Sequence, residues 1–208
     1  MLNVIRNTVD AFLLLRLKPW QDLGDTLLIG EGNLSFAKSL IFLPCGITLM
    51  TATTFEERKD LSQDAKENAA ILMCHSVSVS HGVNATHLEK SPLNSQYGTI
   101  IFQFPNVGSR TPKYGQNPNH VMIRKFLDSA GNYLSSTGRI LITTVDSPHY
   151  EGVFRLKDAS QFAGYKVSGF YPFDPKMFRG YSHANTLDSD SAIKNHARFI
   201  TWVFEKDE

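Results

Sequence analysis

Three apolar residues running into two glycines one residue apart set the frame for the whole chain: Thr26-Leu27-Leu28-Ile29-Gly30-Glu31-Gly32-Asn33-Leu34-Ser35-Phe36-Ala37. The apolar run reads as a buried parallel strand, the glycines as a tight turn, and the residues beyond as the start of a helix. Gly30 can take a positive φ at no steric cost, and Gly32 has no Cβ to hold a ligand away from the backbone. The first amides of the helix are unpaired and carry partial positive charge. Together these are the features of a nucleotide-cofactor turn.

The remainder alternates in the same way. Leu34–Leu43 has helical spacing and stops at Pro44-Cys45-Gly46, Gly46–Thr54 reads as a second strand, and Arg58–Cys74 as a helix. A short strand Ser76–Ser80, a near-continuous apolar strand Gly98–Phe104 and a helix Val121–Leu134 follow. The pattern then gives a strand Gly138–Val145, a helix Phe154–Ala163 and strands Tyr165–Tyr171 and Ala197–Phe204. The last two strands are joined by a loop, not a helix, which predicts an antiparallel hairpin at one end of a parallel sheet. The expected fold is therefore α/β: a Rossmann-like seven-stranded methyltransferase sheet, mostly parallel with an antiparallel last strand, and helices on both faces. At 208 residues, 42% of them hydrophobic, the chain has material for one such domain, taken as 21–208.

Residues 1–20 form a separate expectation. Val4, Ile5, Val9, Phe12, Leu13 and Leu17 can share one helical face, while Arg6, Asp10 and Arg16 interrupt any apolar run long enough for a membrane span, and Pro19 ends the pattern. This helix is read as packing on the domain or on a second copy of the chain. A net charge of +1 with a pI near 7.8 gives no overall basic field, so a nucleic-acid partner must be held by a local patch. Cys45 and Cys74 have no second pair, which points to buried free thiols in a reducing, intracellular compartment. The seven histidines show no metal-ligand spacing, so no metal is expected.

Candidate binding residues fall at strand ends. Glu56 and Glu57 follow the second strand, where a carboxylate can accept both ribose hydroxyls of a nucleoside cofactor, although an acid there also suits the start of a helix. Asn84, after the third strand, has a donor and an acceptor for an adenine edge, or can start a turn. The fourth strand breaks at Gln103-Phe104-Pro105-Asn106, ahead of a polar loop with Arg110, Lys113 and Tyr114. Ligands in open parallel sheets sit beyond the carboxyl ends of the strands, where all of these breaks fall. Arg110 and Lys113, together with Lys176, Phe178, Arg179 and Tyr181 in a later loop, form two patches suited to phosphates and stacking, or simply solvated loops. A dinucleotide turn would carry a third glycine where Ser35 stands, which weakens a nicotinamide cofactor.

The chain also resembles the large-subunit ribosomal RNA uridine-N3 methyltransferase-like family of class I S-adenosylmethionine-dependent methyltransferases. The matching phrases are Leu28-Ile29-Gly30-Glu31-Gly32-Asn33-Leu34-Ser35-Phe36-Ala37, Thr51-Ala52-Thr53, His81-Gly82-Val83-Asn84-Ala85-Thr86, Ile100–Gly108 and Gly180-Tyr181-Ser182-His183. The resemblance implies S-adenosylmethionine as cofactor and RNA, with a ribosomal uridine N3 as the acceptor. It further implies that Gly30, Glu31, Gly32 and Asn33 lie at the methionine end, Glu56 at the ribose, and Asn84 and Gln103 near the rest of the cofactor. Phe104, Pro105, Asn106, Arg110, Lys113 and Tyr181 fall on the substrate side. Relatives in this family are commonly nucleolar; this chain carries no basic tail for that address, so the expected location is intracellular, cytoplasmic or nucleolar according to the organism. The family usually has Asp where this chain has Asn84, and Asn-Phe-Pro-His where it has Gln103-Phe104-Pro105-Asn106. These differences keep a second reading open: a catalytically inactive methyltransferase-fold module that binds RNA or protein.

Methyl transfer from a sulfonium needs an in-line nucleophile and little else from the enzyme beyond positioning and a dry site. A uracil nitrogen must also lose its imino proton, so a nearby base helps. Asp146, after the fifth strand, and His183 are the candidates, although Asp146 also suits a turn and His183 a bridge between loops.

Overall fold

A computed structural model describes residues 17–93, 96–109, 111–112, 114–183 and 196–207. Residues 1–16, which carry most of the expected N-terminal helix, lie outside the described residues, as do Arg110 and Lys113. The strands are β1 (Gly24–Ile29), β2 (Ile47–Thr53), β3 (Ser78–Ser80), β4 (Tyr97–Gln103), β5 (Leu134–Val145), β6 (Tyr165–Phe173) and β7 (Phe199–Lys206). They form one sheet in the order β3-β2-β1-β4-β5-β7-β6. Pairing from β3 to β5 is parallel throughout, and β7 runs antiparallel to both β5 and β6. The Rossmann-like seven-stranded sheet expected from the sequence, mostly parallel with its last strand antiparallel, is therefore the fold.

The helices are α1 (Ser35–Leu40), α2 (Gln63–Cys74), α3 (Pro118–Ala130), α4 (Pro148–Phe154) and α5 (Leu156–Phe162). Alternate residues of each central strand feed opposite layers. Leu28, Ile101 and Leu141 meet Phe36, Ala37 and Leu40 of α1 and Ala69 and Leu72 of α2 on one face. Leu27, Ile29, Ile100, Phe102, Ile140 and Ile142 meet Ile123, Phe126 and Leu127 of α3 and Leu156 and Ala159 of α5 on the other. This period of two, carried on strands buried on both faces, gives the near-continuous apolar runs seen in the sequence. Trp20, 2% exposed, closes the first layer, with its ring 5.4 Å from Phe36, 5.8 Å from Phe173 and 5.3 Å from Phe178.

Several boundaries differ from the sequence reading for local reasons. The segment Arg58–Cys74 is two pieces, because Arg58–Asp60 makes a single 3-10 turn and α2 begins only where the Ser62 hydroxyl accepts from the Ala65 amide at 3.2 Å. Asn117 caps α3 in the same way, with Pro118 at the first helical position, which moves the helix start three residues upstream. The expected helix Phe154–Ala163 is α5; a further helix not expected from the sequence, α4, precedes it and ends at Phe154, and between the two Arg155 takes φ 46° while its guanidinium reaches Asp158 and Gln116. Both cysteines are free, but only Cys45 is buried; Cys74, the last residue of α2, is exposed. Among the described residues no helix is long and apolar enough to cross a membrane.

Candidate functional site

β1 ends one residue before the glycine turn, and β2 fixes that turn in place. The buried Thr53 hydroxyl donates to the Leu28 carbonyl at 2.9 Å and accepts from the Gly30 amide at 3.4 Å, while the Thr53 carbonyl accepts from the Glu31 amide at 2.8 Å. Gly30 takes φ 65°, and a Cβ there would stand 2.9 Å from the Phe102 ring. No other residue type fits without shifting that ring.

Leu34 occupies the N-cap position of α1 and has no polar side chain to offer its amides. The Glu31 carboxylate fills that role, accepting from the Ala37 amide at 3.1 Å and from the Phe36 amide. It is 5% exposed, and burial pushes its pKa up to about 7 against the lowering effect of those two amides.

The position of the missing third glycine has a different use. Ser35 Oγ donates to the Ser182 carbonyl at 2.7 Å and accepts from the Ser182 amide at 3.0 Å. Asn33 Nδ2 donates to the same carbonyl and to Ser182 Oγ, both at 3.0 Å, and the Tyr181 ring stands 5.3 Å from Phe36. The Asn-x-Ser-Phe and Gly-Tyr-Ser-His phrases, about 150 positions apart, are two halves of one clasp. Burial and the Glu31 charge hold the Tyr181 hydroxyl well above its usual pKa, and burial pushes His183 down to about 4. The two side chains share a 3.4 Å hydrogen bond.

Turn, clasp and strand ends enclose a cleft of about 650 Å³ along the carboxyl edge of the sheet. Of the residues singled out in the sequence, Gly30, Glu31, Gly32, Asn33, Glu56, Asn84, Gln103, Phe104, Pro105, Asn106, Tyr181 and His183 all line it. Asn84 also starts a turn, its Oδ1 accepting from the Thr86 amide and hydroxyl at 3.0 and 2.9 Å, while its Nδ2 makes no hydrogen bond among the described residues. Gln103 is 9% exposed, and neither its Oε1 nor its Nε2 has a hydrogen-bond partner. Phe104 takes φ 47° immediately before Pro105, held by ring contacts to Phe173 at 5.8 Å, His183 at 5.2 Å and Phe199 at 5.4 Å. Such a conformation in a bulky residue stores on the order of 1–3 kcal/mol.

Two expectations fall elsewhere. Asp146 is not in this cleft: it lines a second cavity of about 420 Å³ beyond β5, its carboxylate 3.6 Å from Arg198 Nε and its amide on the Arg198 carbonyl. Phe178 is 2% exposed and packs 4.8 Å from Phe36, so it is core and not a stacking surface. The structure adds wall residues that the sequence reading passed over. Phe55, 62% exposed at the tip of β2, and Val121, Met122 and Lys125 on α3 all border the cleft. Phe55 stands beside Glu56 in the sequence, where an exposed ring at a strand tip was the available signal. Among the described residues no cluster of His, Cys, Asp and Glu is placed to hold a metal.

Comparison with known proteins bears on the family and the fold. The BMT5-like family model, described as rRNA (uridine-N3-)-methyltransferase BTM5-like, matches residues 27–185. The mouse ferredoxin-fold anticodon-binding domain-containing protein 1 homolog is 31% identical over 192 residues, covering 86% of this chain and 30% of the mouse protein. The chain thus spans less than a third of that relative. An uncharacterized Arabidopsis thaliana protein is 31% identical over 167 residues, covering 74% of this chain and 78% of its own length. A methyltransferase from Pyrococcus furiosus shares the fold with a TM-score of 0.57 at 15% identity, covering 96% of this chain and 83% of that one.

Proposed function

The chain belongs to the BMT5-like rRNA (uridine-N3-)-methyltransferase family, and from that premise we propose that its cleft binds S-adenosylmethionine and presents the methyl group to N3 of a uridine in ribosomal RNA. S-adenosylmethionine is the cofactor of this class. The observation that carries the proposal is Gln103: a carboxamide buried at the tip of β4 with both ends unpaired, lining the cleft. An orphaned buried amide costs about 1–3 kcal/mol, and a ligand that fills the cleft removes that cost.

The remaining walls fit an adenosine-bearing cation. Gly32 is exposed and brings bare backbone to the cleft, Glu31 and Glu56 supply negative charge, and Phe55, Val83 and Met122 offer apolar faces to a purine. In this reading Glu31 and Gly32 hold the methionine end, Glu56 accepts from the ribose hydroxyls, and the free Nδ2 of Asn84 meets an adenine acceptor. When bound, the cofactor supplies an electrophilic methyl group on a sulfonium. Gln103 and Asn106 hold the polar edge of a base taken out of its stack, with Phe104 and Pro105 as the apolar floor. His183 is neutral at pH 7, and its Nε2 is the nitrogen that accepts the imino proton, in the tautomer whose Nδ1–H donates to the Tyr181 oxygen. Its depressed basicity makes it a weak acceptor, and most of the rate comes from orientation and exclusion of water. Asp146, in the other cavity, is given no part in this.

The test is transfer of labelled methyl from S-adenosylmethionine to unmodified total RNA, read by nucleoside mass spectrometry. Labelled 3-methyluridine is the expected product. Label on another nucleoside keeps the methyltransferase and removes the uridine assignment. Bound cofactor with no label in any RNA favours the inactive binding module.

A further inference from the structure

The tip of β2 and the loop after β3 are tied together by a chain of hydrogen bonds that runs behind the cleft wall. The Thr54 hydroxyl, on a fully buried residue, donates to the Glu56 carbonyl at 2.8 Å and stands 2.8 Å from His81 Nδ1. The same Glu56 carbonyl accepts from the Gly82 amide at 3.0 Å, while the Thr54 carbonyl accepts from the Val83 amide at 2.9 Å and the Thr54 amide donates to the Ser80 carbonyl at 3.0 Å. A hydroxyl has one proton to give, and here it goes to the Glu56 carbonyl. His81 Nδ1 must therefore carry a hydrogen and donate to the Thr54 oxygen. The opposite tautomer would draw the hydroxyl proton to the ring and strip the Glu56 carbonyl of one of its two donors. Burial and the Arg58 charge lower the His81 pKa against the opposing pull of Glu57, so the ring serves as the neutral Nδ1–H form at pH 7.

The same contact sorts the two neighbouring acids. Glu56 lines the cleft, whereas the Glu57 carboxylate lies over Gly82, which takes φ 70° and where a Cβ would collide with it. His81 is not among the residues that line the cleft. A carboxylate that must meet two hydroxyls at once gains from a backbone fixed beforehand, because that ordering then no longer opposes binding. Resting on the ribose role given to Glu56 above, we infer that His81 is a positioning residue for cofactor recognition: through Thr54 it fixes the Glu56 peptide, and so aims the Glu56 carboxylate at the ribose hydroxyls. It takes no part in the transfer step.

The test measures, by calorimetry on the full chain, binding of S-adenosylhomocysteine and of an analogue that lacks both ribose hydroxyls. His81→Phe keeps a ring and removes the donor, Thr54→Val removes the relaying hydroxyl at nearly constant shape, and His81→Asn keeps a donor near the place of Nδ1. The first two should weaken S-adenosylhomocysteine about fivefold and leave the analogue's affinity unchanged, while the third retains most of the wild-type affinity. On a Glu56→Ala background, His81→Phe should have no further effect. Nitrogen-15 NMR of the ligand-free protein should show a protonated Nδ1 and a bare Nε2 on His81. A general loosening of the loop would weaken both ligands alike. That outcome, unchanged affinity in His81→Phe and Thr54→Val, or a protonated Nε2 with bare Nδ1 overturns the inference and leaves the cofactor reading standing. A wild type that binds neither ligand overturns both.

Discussion

At the scale of single residues, Gln103 separates stability from function most cleanly. Its carboxamide is enclosed without partners, so Gln103→Met, similar in length and free of the polar burden, should raise the stability of the ligand-free protein by about 1 kcal/mol in chemical denaturation. The same change should lower methyl transfer by at least about tenfold, because the base edge loses its partner. A variant that is both less stable and fully active would show that the amide serves packing alone. The sequence placed Gln103 at a strand tip, since Gly98–Phe104 is an apolar run ending at Pro105. What it could not reveal is that both amide ends stay empty, because partnership depends on neighbours from β5, α3 and the clasp. Phe178 misled for the same reason: an aromatic beside Arg179 in a loop looks solvent-facing until Trp20 and Phe36 close over it.

At the scale of elements, the clasp between the start of α1 and the loop after β6 is the feature that pattern reading could not supply. The sheet was legible because buried strands write their two-sided burial directly as apolar runs, and the strand ends then located the cleft edge. Nothing in local periodicity links Ser35 to Ser182, which are 147 positions apart. The break at Arg155 was equally silent, since a left-handed arginine leaves no Gly or Pro signal. If the clasp is one cooperative unit, Ser35→Ala, Asn33→Ala and the double variant, which remove the two side chains that share the Ser182 carbonyl, should show a coupling of about 0.5–2 kcal/mol in a denaturation cycle. Additive losses would mean that the two side chains hold the loop independently of each other. Residues Tyr181 and His183 line the cleft from this loop, so the same variants should weaken cofactor binding in proportion to the stability they lose.

For the whole molecule, Glu31 and His183 act on the pH profile in opposite senses. Glu31 titrates near 7 when folded and near its ordinary 4.5 when unfolded, so its contribution to stability is complete below 4.5 and is lost as pH rises to about 7. His183 titrates near 4 when folded and 6.5 when unfolded, so its contribution is complete above 6.5 and is lost as pH falls to about 4. Between pH 4.5 and 6.5 the contributions of these two groups oppose each other. Glu31→Gln should expose a rise in melting temperature with pH across this window, and His183→Gln a fall. Parallel profiles for wild type and both variants would mean that neither group is buried as described.

The placement of β7 inside the sheet, between β5 and β6, has a consequence for how the chain is made. Until β7 pairs, β5 and β6 each present an unpaired backbone edge toward the gap that β7 fills, in addition to the outer edges at β3 and β6 that the complete sheet keeps. Docking of β7 is thus the step that closes the inner gap of the sheet, and a chain caught before that step is where chaperone capture should concentrate.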